Sequence, residues 1–248
     1  MLRLWPRTIA AGLFPERAWL RLGRGKLLAA GGDDMAHVLD DLLAQHAAVI
    51  GRGAKIDLTV SDTVARIVSL PWQSTLSGPA ELLAYAHICF EQIGRPLDAG
   101  WAMHGYFRHH RAAGLAYALP VAWLEQLNAV VGKHGLRLNS VLPVSAAAFS
   151  LHRRPGAGKP SAVILRETGR TTALVHGVAG LSDYLIEPAT RSNPESAMRL
   201  LHRLHAMHGI TSICDWSPCD ASQIDLAKSI GQALPEIAYR LLEIDAWN

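Results

Sequence analysis

The chain has 248 residues, 50% hydrophobic and 18% charged, which supplies apolar material for one large domain or two small ones and excludes a disordered or collagen-like chain. Lys and Arg total 24 against 21 for Asp and Glu, a formal net charge of +3 with no block of like charges. That bias is too weak to point to nucleic acid.

The opening Met1-Leu2-Arg3-Leu4-Trp5-Pro6-Arg7 lacks the sustained apolar core and small-residue cleavage site of a signal peptide, so export is not expected. Thr8 to Phe14 is apolar, Pro15-Glu16 signals a turn, Ala18 to Leu22 alternates, and Gly23-Arg24-Gly25 turns into Lys26 to Ala30. This spacing predicts three adjacent antiparallel strands. Asp33 and Asp34 are capping candidates for a helix whose apolar stripe is Met35, Val38, Leu39, Leu42, Leu43, Val49 and Ile50. After Gly51-Arg52-Gly53, Ile56 to Ser61 reads as a strand.

Ala65 to Leu70 is a further strand, stopped by Pro71. Ser77-Gly78-Pro79 with Glu81 opens a helix that buries Leu82, Leu83, Ala86, Cys89, Phe90 and Ile93. Gly100 to Phe107 and Gly114 to Leu119 form a hairpin around His109-His110-Arg111, and Pro120 starts a helix carrying Trp123, Leu124, Leu127, Val130 and Val131. Gly135 stops it, and Leu136 to Val144 returns as a strand. No stretch approaches the roughly 20 apolar residues of a membrane-spanning helix; the longest runs without Asp, Glu, Lys or Arg, such as Ala112 to Leu124, are short and carry Pro or Gly.

The composition changes abruptly at His152 to Pro160, HRRPGAGKP, which reads as an interdomain linker. Beyond it the opening pattern recurs. Ala162 to Arg166, Thr171 to His176 and Gly180 to Ile186 are three short strands; Ser192 and Glu195 frame a capping box before a helix with Ala197, Met198, Leu201 and Leu204 on one side; Thr211 to Trp216 is again a strand. The order three strands, helix, strand therefore stands on both sides of the linker, each sheet having an apolar face that one helix can cover. The expected division is a first lobe over 1–151 with an inserted subdomain at about 63–142, a linker over 152–160, and a shortened second lobe over 161–248. Cys89, Cys214 and Cys219 cannot all pair within one chain and mostly sit in apolar patterns, which suits a reducing, cytoplasmic compartment.

Two ribonuclease-H-like halves with a subdomain inserted in the first is the plan of actin-like proteins, an α/β fold. Three segments, "IAAGLFPERAWLRL" from Ile9, "LTVSDTVARIVSLPW" from Leu58 and "SAVILRETGRTTALV" from Ser161, resemble PilM of type IV pilus assembly and the cytoplasmic domain of the type II secretion protein GspL. The resemblance implies a scaffold that binds the cytoplasmic tail of an inner-membrane partner and connects it to an assembly ATPase. It also raises ATP with magnesium as a cofactor, since actin-like ATPases place an acid and Gly-rich turn residues at the first hairpin of each half to hold phosphate and order Mg²⁺ through water.

Residue by residue, the first hairpin, Ala10-Ala11-Gly12-Leu13-Phe14-Pro15, offers Gly12 but no carboxylate, and Pro15 removes an N–H donor. The second, Arg166-Glu167-Thr168-Gly169-Arg170, keeps an acid and a glycine in place. Gly12, Glu167, Thr168 and Gly169 are thus the candidates should nucleotide bind. The expectation is a protein with no cofactor, no catalytic residue and no ATPase activity; the alternative is an ATP-binding protein whose nucleotide state regulates its partner.

Other chemistry has weaker support. His202, His205 and His208 lie three apart near Cys214 and Cys219, but steps of three on a helix turn His202 and His208 about 120° apart, so a solvated face is expected rather than zinc. His104, His109 and His110 read as surface residues of a hairpin. Gly156-Ala157-Gly158-Lys159 precedes Pro160 where a phosphate loop needs Ser or Thr, and Gly51-Arg52-Gly53 with Lys55 fails likewise. No Gly-x-Ser-x-Gly elbow exists. A two-metal nuclease needs acids on the first strand; Thr8 to Phe14 has none, leaving Asp57, Asp62 and Glu167 to strand-end solvation and turn capping. Trp72, after Leu70-Pro71, is either a core plug or an exposed anchor for a partner peptide. An apolar groove or free strand edge beside the inserted subdomain is the natural docking place for a membrane protein's tail.

Overall fold

A computed structural model describes residues 8–15, 17–22, 26–32, 34–152, 159–188, 194–218 and 226–247. Asp33, residues 23–25 and 153–158 of the linker, Ser192 of the capping box and Cys219 lie outside the described residues.

The first lobe opens with the antiparallel meander β1 (Thr8–Phe14), β2 (Arg17–Leu22) and β3 (Lys26–Ala30). Helix α1 (Met35–Ile50) begins under Asp34, whose carboxylate accepts the N–H groups of Ala36 and His37 at 2.9 and 3.2 Å. It ends at Gly51, with φ of 77°. Strand β4 (Lys55–Val60) then pairs parallel with β1. A short 3₁₀ turn over Asp62–Val64 leads into a smaller unit: β5 (Arg66–Leu70), α2 (Pro79–Gln92), β6 (Trp101–Tyr106) and β7 (Gly114–Pro120). Helix α3 (Val121–Lys133) and β8 (Arg137–Pro143) return the chain to the first sheet, where β8 lies parallel to β4. Helix α4 (Val144–Leu151) ends this half.

The second lobe repeats the plan with β9 (Ser161–Glu167), β10 (Arg170–His176), β11 (Leu181–Pro188), α5 (Pro194–His208) and β12 (Ser212–Trp216), followed by α6 (Leu226–Ala233) and β13 (Ala238–Leu241). The sheet orders are β3-β2-β1-β4-β8 and β11-β10-β9-β12-β13, the same order with the same parallel and antiparallel senses, beside a third sheet β5-β7-β6. The duplicated order of three strands, helix and strand is therefore present in both lobes. Helix α6 and strand β13 extend it beyond what the sequence pattern indicates.

Strands β9 and β10 are apolar on both faces because they serve two cores. Ala162, Ile164, Ala173 and Val175 join a core under α5 and α6. Val163, Leu165 and Leu174 point the other way, into a core continuous with the first lobe that also holds Phe14, Phe149, Trp216 and Trp247. The two sheets are thereby joined by a dry seam.

Candidate functional site

The duplication places two hairpin tips at equivalent positions. Residues 15 and 16 join β1 to β2, with Phe14 paired to Arg17; Thr168-Gly169 joins β9 to β10, with Glu167 paired to Arg170. Phe14 and Glu167 hold matching places, and each crosses the seam to the end of a strand in the other lobe. Phe14 packs on Trp216 at the end of β12, ring centroids 5.2 Å apart, and both residues are buried. Glu167 accepts the N–H of Asp62, just past the end of β4, at 3.2 and 3.3 Å on its two oxygens. Trp216 is fixed by its Nε1, which donates to the Ile244 carbonyl at 3.0 Å. Beyond Ile244, Asp245 pairs with Arg21 of β2 and Trp247 is buried, so the segment after β13 straps the second lobe to the first.

Around Glu167 the seam is polar and largely buried. Asp62 is fully buried and accepts the Ser145 N–H at 3.0 Å and the Ser145 hydroxyl, both from the first turn of α4. Arg170 donates to the Asp62 carbonyl at 3.0 Å, and its guanidinium stands 4.0 Å from the Asp62 carboxylate. The Tyr184 hydroxyl lies 3.5 Å from that of Ser145. One guanidinium therefore stands near two carboxylates, and its carboxylate contact is with Asp62. Burial raises the Asp62 carboxyl above its ordinary value against the pull of Arg170 and Ser145. Burial first, and then the Asp62 charge, push Glu167 up to about 8. The Tyr184 hydroxyl is likewise pushed up by burial and then by Asp62. Behind the second tip, Arg166 forks onto Asp215 at 2.7 and 2.8 Å, and the Tyr239 hydroxyl donates to Asp215 Oδ2 at 2.6 Å.

Of the nucleotide candidates, Glu167, Thr168 and Gly169 come together on the second tip, and Gly12 lies apart in β1 opposite Trp19 of β2. A Cβ on Gly12 would stand 2.1 Å from Trp19 Nε1, so glycine is required there to admit the indole. Gly169 has φ of +82°, the demand of a two-residue turn. The Glu167 carboxylate is committed to Asp62. Pro15 and a buried ring thus stand at the first tip, and at the second the Glu167 carboxylate is engaged by the Asp62 N–H.

Asp62 is not the solvated strand-end acid the sequence suggests; it is completely buried. Asp57 is separate from it, accepting from Asn139 at 2.7 Å and from Ser140. On α5, His205 reaches the Ile210 carbonyl at 3.1 Å and Glu236 at 3.2 Å, His208 reaches Asp183 at 3.3 Å, and His202 is exposed. Cys214 is buried in the shared core, and no group of three or more metal-ligating side chains forms among the described residues. Trp72 is half-buried, edge-on to Phe107 at 5.1 Å and to His110 at 4.9 Å. His109 and His110 are exposed in the β6–β7 turn, and His104 is exposed on β6.

A second feature lies beside the smaller unit. Strand β8 ends the first sheet and β6 ends the three-stranded sheet, each paired on one side only. Together with α3 they line a groove of about 480 Å³, walled by Ala102, His104, Tyr117, Leu119, Leu124 and Leu138 among others. Asn139 bulges from β8 where the register with β4 shifts, and Asp57 holds the bulge through Asn139 and Ser140. The groove thus offers apolar walls and two strands that end their sheets among the described residues. The sequence shows the strands but not which of them end a sheet, so this site is legible only once the strand order is known.

No family model and no curated protein sequence matches the chain. Solved structures match in fold. The PilM–PilN type IV pilus biogenesis complex superposes with a TM-score of 0.69 at 9% identity, over 97% of this chain and 89% of that one. The cytoplasmic domain of EpsL, an inner-membrane component of the type II secretion system of Vibrio cholerae, gives 0.57 at 11% identity, over 97% and 92%. A Bacteroides thetaiotaomicron protein of actin-like ATPase fold and unknown function gives 0.62 at 6% identity, over 97% and 91%. The chain has the actin-like ATPase fold, and its likeness to PilM and the EpsL domain is one of structure. No helix among the described residues is long and apolar enough to cross a membrane.

Proposed function

We propose that the chain is a non-catalytic scaffold of a type IV pilus or type II secretion platform, cytoplasmic and held at the inner membrane through its partners, with an assembly ATPase as a second partner. It binds the cytoplasmic tail of a membrane protein in the groove between β6 and β8. The groove carries this reading: an extended tail laid there adds a strand to a free edge while its apolar side chains enter the walls of Leu119, Leu124 and Leu138. The seam supports the non-catalytic part, because the chemistry that would grip phosphate is replaced by a ring stack at one tip and a lobe-to-lobe hydrogen bond at the other. The structural likeness to PilM and EpsL supports the setting.

A photo-crosslinking residue placed at exposed Ala102 of β6, and for comparison at exposed Met207 of α5, tests the site in cells. The expected result is an adduct with an inner-membrane protein from position 102 and none from position 207. Cross-linking from position 207 alone would overturn the assignment.

A further inference from the structure

Among the described residues, Glu167 is the one buried carboxylate whose hydrogen bonding joins the lobes. It leaves the second lobe, accepts the Asp62 N–H of the first, and makes no ion pair within 4.0 Å among the described residues. Asp62 faces it from the turn after β4, Arg170 from β10, Tyr184 from β11 and the Ser145 hydroxyl from α4, with Ser61 bonding it from the end of β4. Arg170 is the single cation of this set and is engaged by Asp62 through both its carbonyl and its carboxylate. A second negative charge in so buried a place has no counter-charge of its own among the described residues.

We propose that the Asp62–Glu167 pair is a proton-held latch between the lobes: with a proton on Glu167 the second hairpin stays docked on the turn after β4, and losing that proton frees the hairpin. An acid that holds its proton more tightly in the closed seam than in water makes closure weaker as pH rises. The weakening spans the interval between the ordinary glutamic range and about 8, and it levels off above that. Within it, opening becomes easier by up to about tenfold per pH unit. The latch is independent of the groove reading, because it concerns a different surface and needs no partner.

Amide hydrogen exchange on the full chain tests it, read as protection relative to the chemical exchange rate at each pH from 6 to 9. Segments 58–66 and 165–171 are expected to lose protection together up to pH 8 and then level, while α1 does not follow them. Glu167→Gln, which keeps the acceptor oxygen and removes the titration, is expected to flatten the profile. Asp62→Asn removes the neighbouring charge and is expected to level the profile at a lower pH. Parallel pH profiles in the wild type and Glu167→Gln would overturn the latch. Should Glu167→Gln fail to fold, an Asp62→Asn profile that levels where the wild type does would overturn it equally.

Discussion

The two hairpin tips occupy matching places in duplicated lobes and solve the same problem with opposite chemistry. The first sends a ring across the seam, Phe14 onto Trp216; the second sends a carboxylate, Glu167 onto the Asp62 N–H. The apolar crossing stabilises by burial, which does not depend on pH. The polar crossing depends on a proton, on the satisfaction of every buried partner and on exclusion of water. Here the side chains of Phe14 and Glu167 are both buried and hold the lobes together, and the groove beside the smaller unit offers two sheet-edge strands.

Three substitutions separate these contributions. Removing the apolar crossing is the most severe: Trp216→Ala is expected to cost about 3–5 kcal/mol in equilibrium urea unfolding, since a large buried ring is lost from a core shared by both lobes. Stability unchanged to within experimental error would mean that the seam is not a common core. Gly12→Ala forces a methyl into the Trp19 indole and is expected to cost about 1–3 kcal/mol, with a change in tryptophan fluorescence as the ring is displaced. If that glycine instead served a ligand, its replacement would leave both stability and emission untouched. The smallest effect belongs to a polar contact outside the seam. Lys133 and His134 donate to Asp40 between α3 and α1, and hydrogen bonding to Lys133 and then His134 holds the Asp40 carboxyl below its ordinary value. A depressed acid contributes stability above its unfolded pKa and loses it as pH falls through its folded one. Asp40→Asn is therefore expected to cost less than about 1 kcal/mol at neutral pH and to converge with the wild type in acid. Its pH dependence runs opposite to that of Glu167, so the two titrations are separable in one set of melting curves.

Much of the architecture is written locally. Turn residues and period-two alternation mark the meanders on both sides of the linker, and Asp34 with the stripe from Val38 to Leu43 marks α1. Helix α4 carries no such mark: Val144, Ser145, Ala146, Ala147, Ala148 and Phe149 are all buried, so it has no polar face to set a period. Helix α6 and strand β13 are too short for periodicity to speak. The sequence shows the second tip as Glu167-Thr168-Gly169 but not its role, because the group it meets is 105 residues away. Asp62 looks like any acid after a strand until the fold brings Ser145, Arg170 and Glu167 around it. One signal was present: aligning the two hairpins on their turns sets Phe14 against Glu167, a mismatch at a position where paired phosphate-binding tips would match.

The central claim is that the seam between the lobes is closed by side chains and that partners dock elsewhere. Calorimetric titration of the full chain with MgATP tests it most directly. The account predicts no binding heat up to millimolar nucleotide; micromolar binding that is lost in Glu167→Ala would contradict it.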